Sequence, residues 1–236
     1  MGIFIPMDNY MVILEEVSRW KIIGMKKLYS NLNLDSSYSF FCRQVRKLEV
    51  EGLIRSITGM RKRKYLTLTK SGSKIVPYNA QYEESDIELN HDLIVSNVIL
   101  ELNKFETLGG GHVVHDCHFL EVEADGLIYI NKDGVKAAMA IEAELTQKSK
   151  DRISCKYVAY HRATCINYCF YVFNKRSVYE AYKRELDNKI ESVRAKILLC
   201  LDENLSIGQF NYLDKLCYFK GDEKTFEHIF SNKKES

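Results

Sequence analysis

No CxxC pair, no dinucleotide-binding fingerprint and no long apolar run occur in this 236-residue chain. Each absence closes off a class of protein. A membrane-spanning helix needs roughly 18–20 consecutive apolar residues, and no stretch approaches that, so no membrane segment is expected. The start, MGIFIPMDNYMV, has neither a basic head nor a long apolar core, so no secretory leader is expected. The cysteines (Cys42, Cys117, Cys155, Cys165, Cys169, Cys200 and Cys217) are scattered, without zinc-site or disulfide-framework spacing, and are expected to be buried thiols of a reducing cytoplasm. The run Gly109-Gly110-Gly111-His112 lacks the GxGxxG spacing and follows no strand, so it is not a dinucleotide fingerprint. His112, His115 and His118 have a spacing that suits a metal better on a helix than on the strand their surroundings suggest, so structural histidines are expected. No internal repeat or low-complexity segment is present.

What the chain does have is an uneven distribution of charge. Hydrophobic residues make up 46%, enough for a packed core. The net charge of +2 conceals a basic first third, with 14 Lys and Arg against 6 Asp and Glu over residues 1–80, and an acidic remainder with 20 against 26. Two modules with different work are expected. In the first, Asp8 opens a helix with Met11, Ile13, Leu14 and Val17 near helical spacing. Gly24 interrupts before a second short helix, MKKLYSNL. The third runs through SSYSFFCRQVRKLEV, capped by Asp35 or Ser36, striped by Phe41, Val45 and Leu48, and ended by Gly52. Two strands follow, over residues 53–57 and around Tyr65, Leu66 and Leu68. Their connecting turn carries four consecutive cations, Arg61, Lys62, Arg63 and Lys64.

Residues 77–90 carry Pro77 and an acidic cluster without periodicity. They are read as a linker between a first domain, 1–76, and a second, 91–236. The second domain opens with the helix HDLIVSNVILELNKF, whose Leu93, Ile94, Val98 and Leu102 form a stripe. The three glycines then make a loop. Strand-like runs cover 112–120, 122–130 and 135–145, with NKDG as a tight hairpin between the last two. A helix over 146–160, the strand INYCFYVF, a long helix over 177–200 and a late strand, KLCYF, complete a mixed-sheet α/β order. The polar tail, 221–236, is expected to be partly disordered.

Chemistry gathers around the carboxylates. The strand period of two places Glu121, Glu123 and Asp125 on one face of the second strand. On the third it places Ala138, Ala140, Glu142 and Glu144 together, opposite Met139, Ile141 and Ala143. If the hairpin pairs these strands, Asp125, Glu142 and Glu144 converge at one sheet end. Three carboxylates without a cation repel one another and are driven to protonate. All-oxygen ligation suits Mg²⁺ or Mn²⁺. Downstream, Lys148, Arg152, Lys156 and Tyr160 repeat every fourth residue, a basic stripe suited to a phosphodiester. His91 opens a helix and is a further candidate for orienting a carboxylate or a phosphate.

The segment SSYSFFCRQVRKLEVEGLI followed by YLTLTKSG resembles the MarR-type winged helix. That resemblance implies that Ser36, Ser37, Ser39, Arg43 and Lys47 face double-stranded DNA and that Arg61, Lys62, Arg63 and Lys64 form the wing tip. Serines at a helix N-terminus and cations one turn apart are independently suited to phosphates. The carboxylate order resembles the PD-(D/E)xK nuclease fold. The two together resemble the replication-relaxation family, which includes MobC-type plasmid mobilisation relaxases. The motifs are His91-Asp92-Leu93, Ala124-Asp125, Ile141-Glu142-Ala143-Glu144, and Lys156 with Tyr157 or Tyr160. The chain departs from the nuclease pattern at Ala124, where proline is usual, and at Glu144, where lysine is usual; Lys156 supplies the missing cation from the helix.

The resemblance implies an α+β protein: an N-terminal winged helix-turn-helix, then a restriction-endonuclease-like domain with a mixed central sheet. It implies cytoplasmic, Mg- or Mn-dependent nicking or relaxation of plasmid or mobile-element DNA in mobilisation or replication. Asp125, Glu142 and Glu144 would hold the metal, and Lys156, Tyr160 and His91 would complete the catalytic set with Lys148 and Arg152 on the DNA. The alternative is a non-catalytic DNA-binding regulator or replication accessory protein with a degenerate nuclease fold. A homodimer is left open, since many winged helices pair but no heptad run is present.

Overall fold

The computed structural model describes residues 4–58, 63–76, 86–114, 121–205, 211–212 and 215–231. The chain divides into two compact units, Met1–Leu93 and Ile94–Ser236.

The first unit runs α1 (Asn9–Trp20), β1 (Ile22–Gly24), α2 (Met25–Leu32), α3 (Tyr38–Val50), β2 (Ile54–Thr58), β3 (Lys64–Leu68) and the single turn α4 (Lys70–Ser73). Three antiparallel strands form a sheet in the order β1-β3-β2. The apolar stripes do the packing: Ile13, Leu14, Val17 and Trp20 of α1, Leu28 of α2 and Phe41, Val45 and Leu48 of α3 are all buried. Strand β1 was not expected, because three residues are too short to show an alternation. The cap of α3 is Ser37, not Asp35 or Ser36; its hydroxyl accepts from the Phe40 N–H at 3.3 Å. Gly52 ends the helix at φ +68°, a conformation that favours glycine. Lys64 starts strand β3 and is not part of the turn, whereas Arg61 and Lys62 lie outside the described residues.

Helix α5 (Asp86–Leu102) begins within the stretch read as a linker. The second unit continues with β4 (Leu108–Val113), β5 (Gly126–Lys132), β6 (Val135–Glu144), α6 (Lys150–Arg162), β7 (Tyr168–Phe173), α7 (Arg176–Asp187), the turn α8 (Glu191–Arg194), β8 (Ile197–Leu201), β9 (Leu216–Phe219), β10 (Asp222–Thr225) and α9 (Phe226–Phe230). Its seven strands order as β10-β9-β8-β7-β6-β5-β4. The β6–β7 and β7–β8 pairs are parallel and the others antiparallel. The protein is thus α+β with a mixed central sheet in its second unit, as expected.

Several local expectations are corrected. The three glycines lie in strand β4, not in a loop. A Cβ on Gly111 would come within 2.3 Å of the Ile99 side chain and one on Gly126 within 2.5 Å of it, so glycine is what lets α5 lie close on β4 and β5. Strand β4 stops at Val113, and His115, Cys117 and His118 lie outside the described residues. The helix expected over 177–200 ends at Asp187, and its last segment, Ile197–Leu201, is a buried strand with parallel pairing to β7. A short continuous apolar run does not distinguish the two by periodicity. The supposedly disordered tail holds β10 and α9, whose Phe226 and Phe230 are buried. Cys155 and Cys165 are exposed, while Cys169, Cys200 and Cys217 are buried thiols.

Candidate functional site

Strands β5 and β6 are joined by Asp133-Gly134, both with positive φ (50° and 77°), the backbone of a two-residue hairpin turn. That turn fixes the register, with Lys132 opposite Val135 and Gly126 opposite Ile141. Asp125 immediately precedes β5 and is not part of it, so the strand alternation expected over Glu121, Glu123 and Asp125 does not apply. Asp125 still reaches β6: its Oδ2 accepts from the Ala143 N–H at 2.8 Å, and its carbonyl accepts from the Val114 N–H at 3.0 Å. Glu142 and Glu144 share a face of β6, as expected, beside Tyr171 and Phe173 of the parallel neighbour β7.

That face is covered by α6 and α7. The core here includes Tyr157, Tyr160, Tyr171, Phe173, Tyr179 and Tyr182, an aromatic layer that encloses the acids. Helix α6 starts at Lys150 with Ser149 as its cap, accepting from the Arg152 N–H at 3.3 Å. Lys148 therefore precedes the helix, and the stripe shortens to Arg152, Lys156 and Tyr160. Arg152 is exposed. Lys156 and Tyr160 turn inward onto one carboxylate. Lys156 Nζ lies 2.5 Å from Glu142 Oε2, and the Tyr160 hydroxyl donates to Glu142 Oε1. The C-terminal end of α6 is held by Lys196, whose Nζ donates to the carbonyls of His161, Ala163 and Ile166 at 3.2, 2.9 and 3.0 Å. A cation there offsets the helix dipole; nothing in the sequence signals this residue.

The electrostatics follow from burial. Glu142 is 1% exposed. Burial, and after it the charge of Asp125, push its carboxyl up to about 8, against the pull of Lys156 and the Tyr160 hydroxyl. Burial lowers the affinity of the Lys156 amine for its proton, but Glu142, Asp125 and Glu144 outweigh that and raise it above the ordinary lysine range. Lys156 thus stays cationic beside a Glu142 carboxyl that keeps its proton up to about pH 8 and is its counter-ion above that. Burial, the neighbouring Cys169 and Glu142 hold the Tyr160 phenol protonated, so Tyr160 is a donor that fixes Glu142. At 0% exposure it is not placed to attack a substrate.

Among the described residues, no group of three or more His, Cys, Asp or Glu side chains is arranged to hold a metal ion. The three-carboxylate cage expected from Asp125, Glu142 and Glu144 is therefore not assembled. Glu144 is engaged by the Tyr182 hydroxyl, and its place as a third ligand is a proposal. Two carboxylates, Asp125 and Glu142, nevertheless suit Mg²⁺ or Mn²⁺. Mg²⁺ commonly takes one or two protein carboxylates and fills its other positions with water and substrate phosphate. His91 belongs to the first unit, with Nδ1 3.9 Å from Asp92 Oδ1, and its place in a site is a proposal. An open groove in the second unit is lined by Glu106, Tyr129, Lys136, Cys165 and Asn167, away from this cluster.

In the first unit, Ser37, Ser39, Arg43 and Lys47 lie on the exposed side of α3 or at its cap, and Ser36 is half-buried. Ser37 is engaged as the cap. Lys47 pairs with Glu51 at 2.7 Å and Lys64 with Glu49 at 2.8 Å. Arg43 stacks over the Phe40 ring, 5.5 Å from its centroid. Arg63 is exposed beside β3.

No family model matches the chain, and no curated protein matches it. Among solved structures, restriction endonuclease FokI aligns over 75% of this chain and 40% of its own length, at 13% identity and a TM-score of 0.26. A similarity that slight carries no weight for fold or function. No helix among the described residues is long and apolar enough to cross a membrane.

Proposed function

We propose that this chain is a DNA-binding protein of the winged-helix type whose second unit cleaves a phosphodiester bond, nicking plasmid or mobile-element DNA during mobilisation or replication. The observation that carries the reading is the contact of Lys156 with Glu142 beside Asp125. An acid before one strand, an acid on its hairpin partner and a lysine on the crossover helix meet at one point.

Asp125 and Glu142 would hold Mg²⁺ or Mn²⁺. The chemistry such an ion supplies is charge stabilisation at a phosphate and activation of water. Lys156, its side chain 30% exposed, lies between the buried Glu142 and solvent, and it would hold a phosphate oxygen. Tyr160 fixes the Glu142 carboxylate, and the aromatic layer keeps water from its other side. The DNA reading is supported by the helix and strand order of the first unit, α1-β1-α2-α3-β2-β3, and by the basic surface of its first 80 residues. Arg61, Lys62, Arg63 and Lys64 would form its wing, and Lys148 and Arg152 would track the backbone.

A second reading, a DNA-binding regulator without cleavage, draws support from Glu144, which stands where the nuclease pattern has lysine, and from Lys156, whose ammonium is already engaged. Supercoiled plasmid incubated with the protein and Mg²⁺ or Mn²⁺ separates the two. Open circles formed by wild type and abolished in Glu142→Ala support cleavage. A retained gel shift with no open circles supports the regulator. No shift even at low salt, where phosphate contacts are strongest, removes both.

A further inference from the structure

The solvent side of α3 carries an aromatic ring that packing does not require. Phe40 is 41% exposed, one turn before Arg43, and the Arg43 guanidinium lies over its ring, 5.5 Å from the centroid. The residues that build the core from this helix are Phe41, Gln44, Val45 and Leu48. Phe40 therefore stands at the solvent-facing flank of that stripe, beside the capped N-terminus where Ser37 and Ser39 sit. The other cations close by face carboxylates: Lys47 pairs with Glu51 and Lys64 with Glu49, and Arg46 lies near enough to Glu49 to help lower its pKa. Stacking on Phe40 holds the Arg43 side chain partly ordered, which lowers the entropy lost when it binds.

We infer that Phe40 and Arg43 together read a thymine–guanine step in the major groove, Phe40 against the thymine 5-methyl group and Arg43 on the guanine edge. An apolar side chain is the partner that senses that methyl, and a guanidinium is the one that matches the two guanine acceptors. Serines and lysines on the same face would contact phosphates and set register without choosing sequence. The inference rests on the DNA-binding reading of the first unit and goes beyond it by naming two specificity-determining residues and the bases they choose.

The test begins with selection of a preferred duplex by the full chain from a random pool. Each thymine in that site is then replaced by deoxyuridine, which removes only the methyl. Binding of wild type, Phe40→Ala and Arg43→Ala is measured by fluorescence anisotropy, with thermal melts confirming that both variants fold. The expected result is one thymine whose replacement weakens wild type about fourfold, the value of one buried methyl. Phe40→Ala should bind both duplexes equally, and Arg43→Ala should lose tenfold or more at the adjoining guanine. If no thymine is methyl-sensitive, or if Phe40→Ala keeps the full sensitivity, the inference is overturned while DNA binding stands. If no duplex binds at low salt, the underlying reading fails as well.

Discussion

The two units use charge in opposite ways. On α3 of the first unit, Lys47 and Glu51 form an ion pair whose side chains are 46% and 29% exposed. In the second, Lys156 meets a Glu142 that is 1% exposed under an aromatic layer. A solvated pair contributes about 0–1 kcal/mol and can exchange its partner for a phosphate at little cost. A buried pair is held together by the penalty of leaving either charge alone. The first arrangement leaves its cations able to change partners, as the proposed contact with DNA requires. The second shuts a carboxyl away from water beside its lysine, as the proposed metal site requires.

Breaking each pair sharpens that contrast. Lys156→Met leaves Glu142 buried without its counter-ion and is expected to lower stability by roughly 3–5 kcal/mol at pH 9. The loss should be smaller at pH 6, where the orphaned carboxyl takes up a proton; urea unfolding at the two pH values checks this. The equivalent change on the surface, Lys47→Met, is expected to cost under about 1 kcal/mol. A second effect concerns pH in the wild type. Glu142 is raised to about 8 in the folded chain and titrates near the usual carboxylate value when unfolded. Between those values the folded state binds the extra proton, so stability falls as pH rises from about 4.5 to 8 and levels off above. Glu142→Gln should remove that decline, roughly 5 kcal/mol over the range, read from unfolding curves at several pH values. The smallest effect is at the α3 cap, where Ser37→Ala should cost about 1 kcal/mol and shift the melting temperature by a few degrees.

Much of the site was legible before the fold was known. Alternation along MAIEAEL put Glu142 and Glu144 on one face, NKDG placed the hairpin, and the four-residue spacing of Lys156 and Tyr160 aligned them on α6. What the pattern could not show was contact with the backbone and with distant elements. Asp125 lies off its strand and is anchored by the Ala143 N–H, which leaves no side-chain signature. Glu144 is drawn away by Tyr182, on a helix far along the chain. Strand β8 hid inside an apolar run that also reads as helix. The glycine triplet read as a loop because the reason for Gly111, the Ile99 side chain on α5, is a tertiary one.

The central claim is that Asp125 and Glu142 hold a divalent cation that Lys156 stands in for. Mn²⁺ binding to the full chain, followed by electron paramagnetic resonance at pH 8, tests it directly. The account predicts one saturable Mn²⁺ per chain, lost in a folded Asp125→Asn variant and tightened in Lys156→Met. Wild-type protein that leaves Mn²⁺ free at millimolar concentration, or an Asp125→Asn variant that binds it as well as wild type, would contradict the claim.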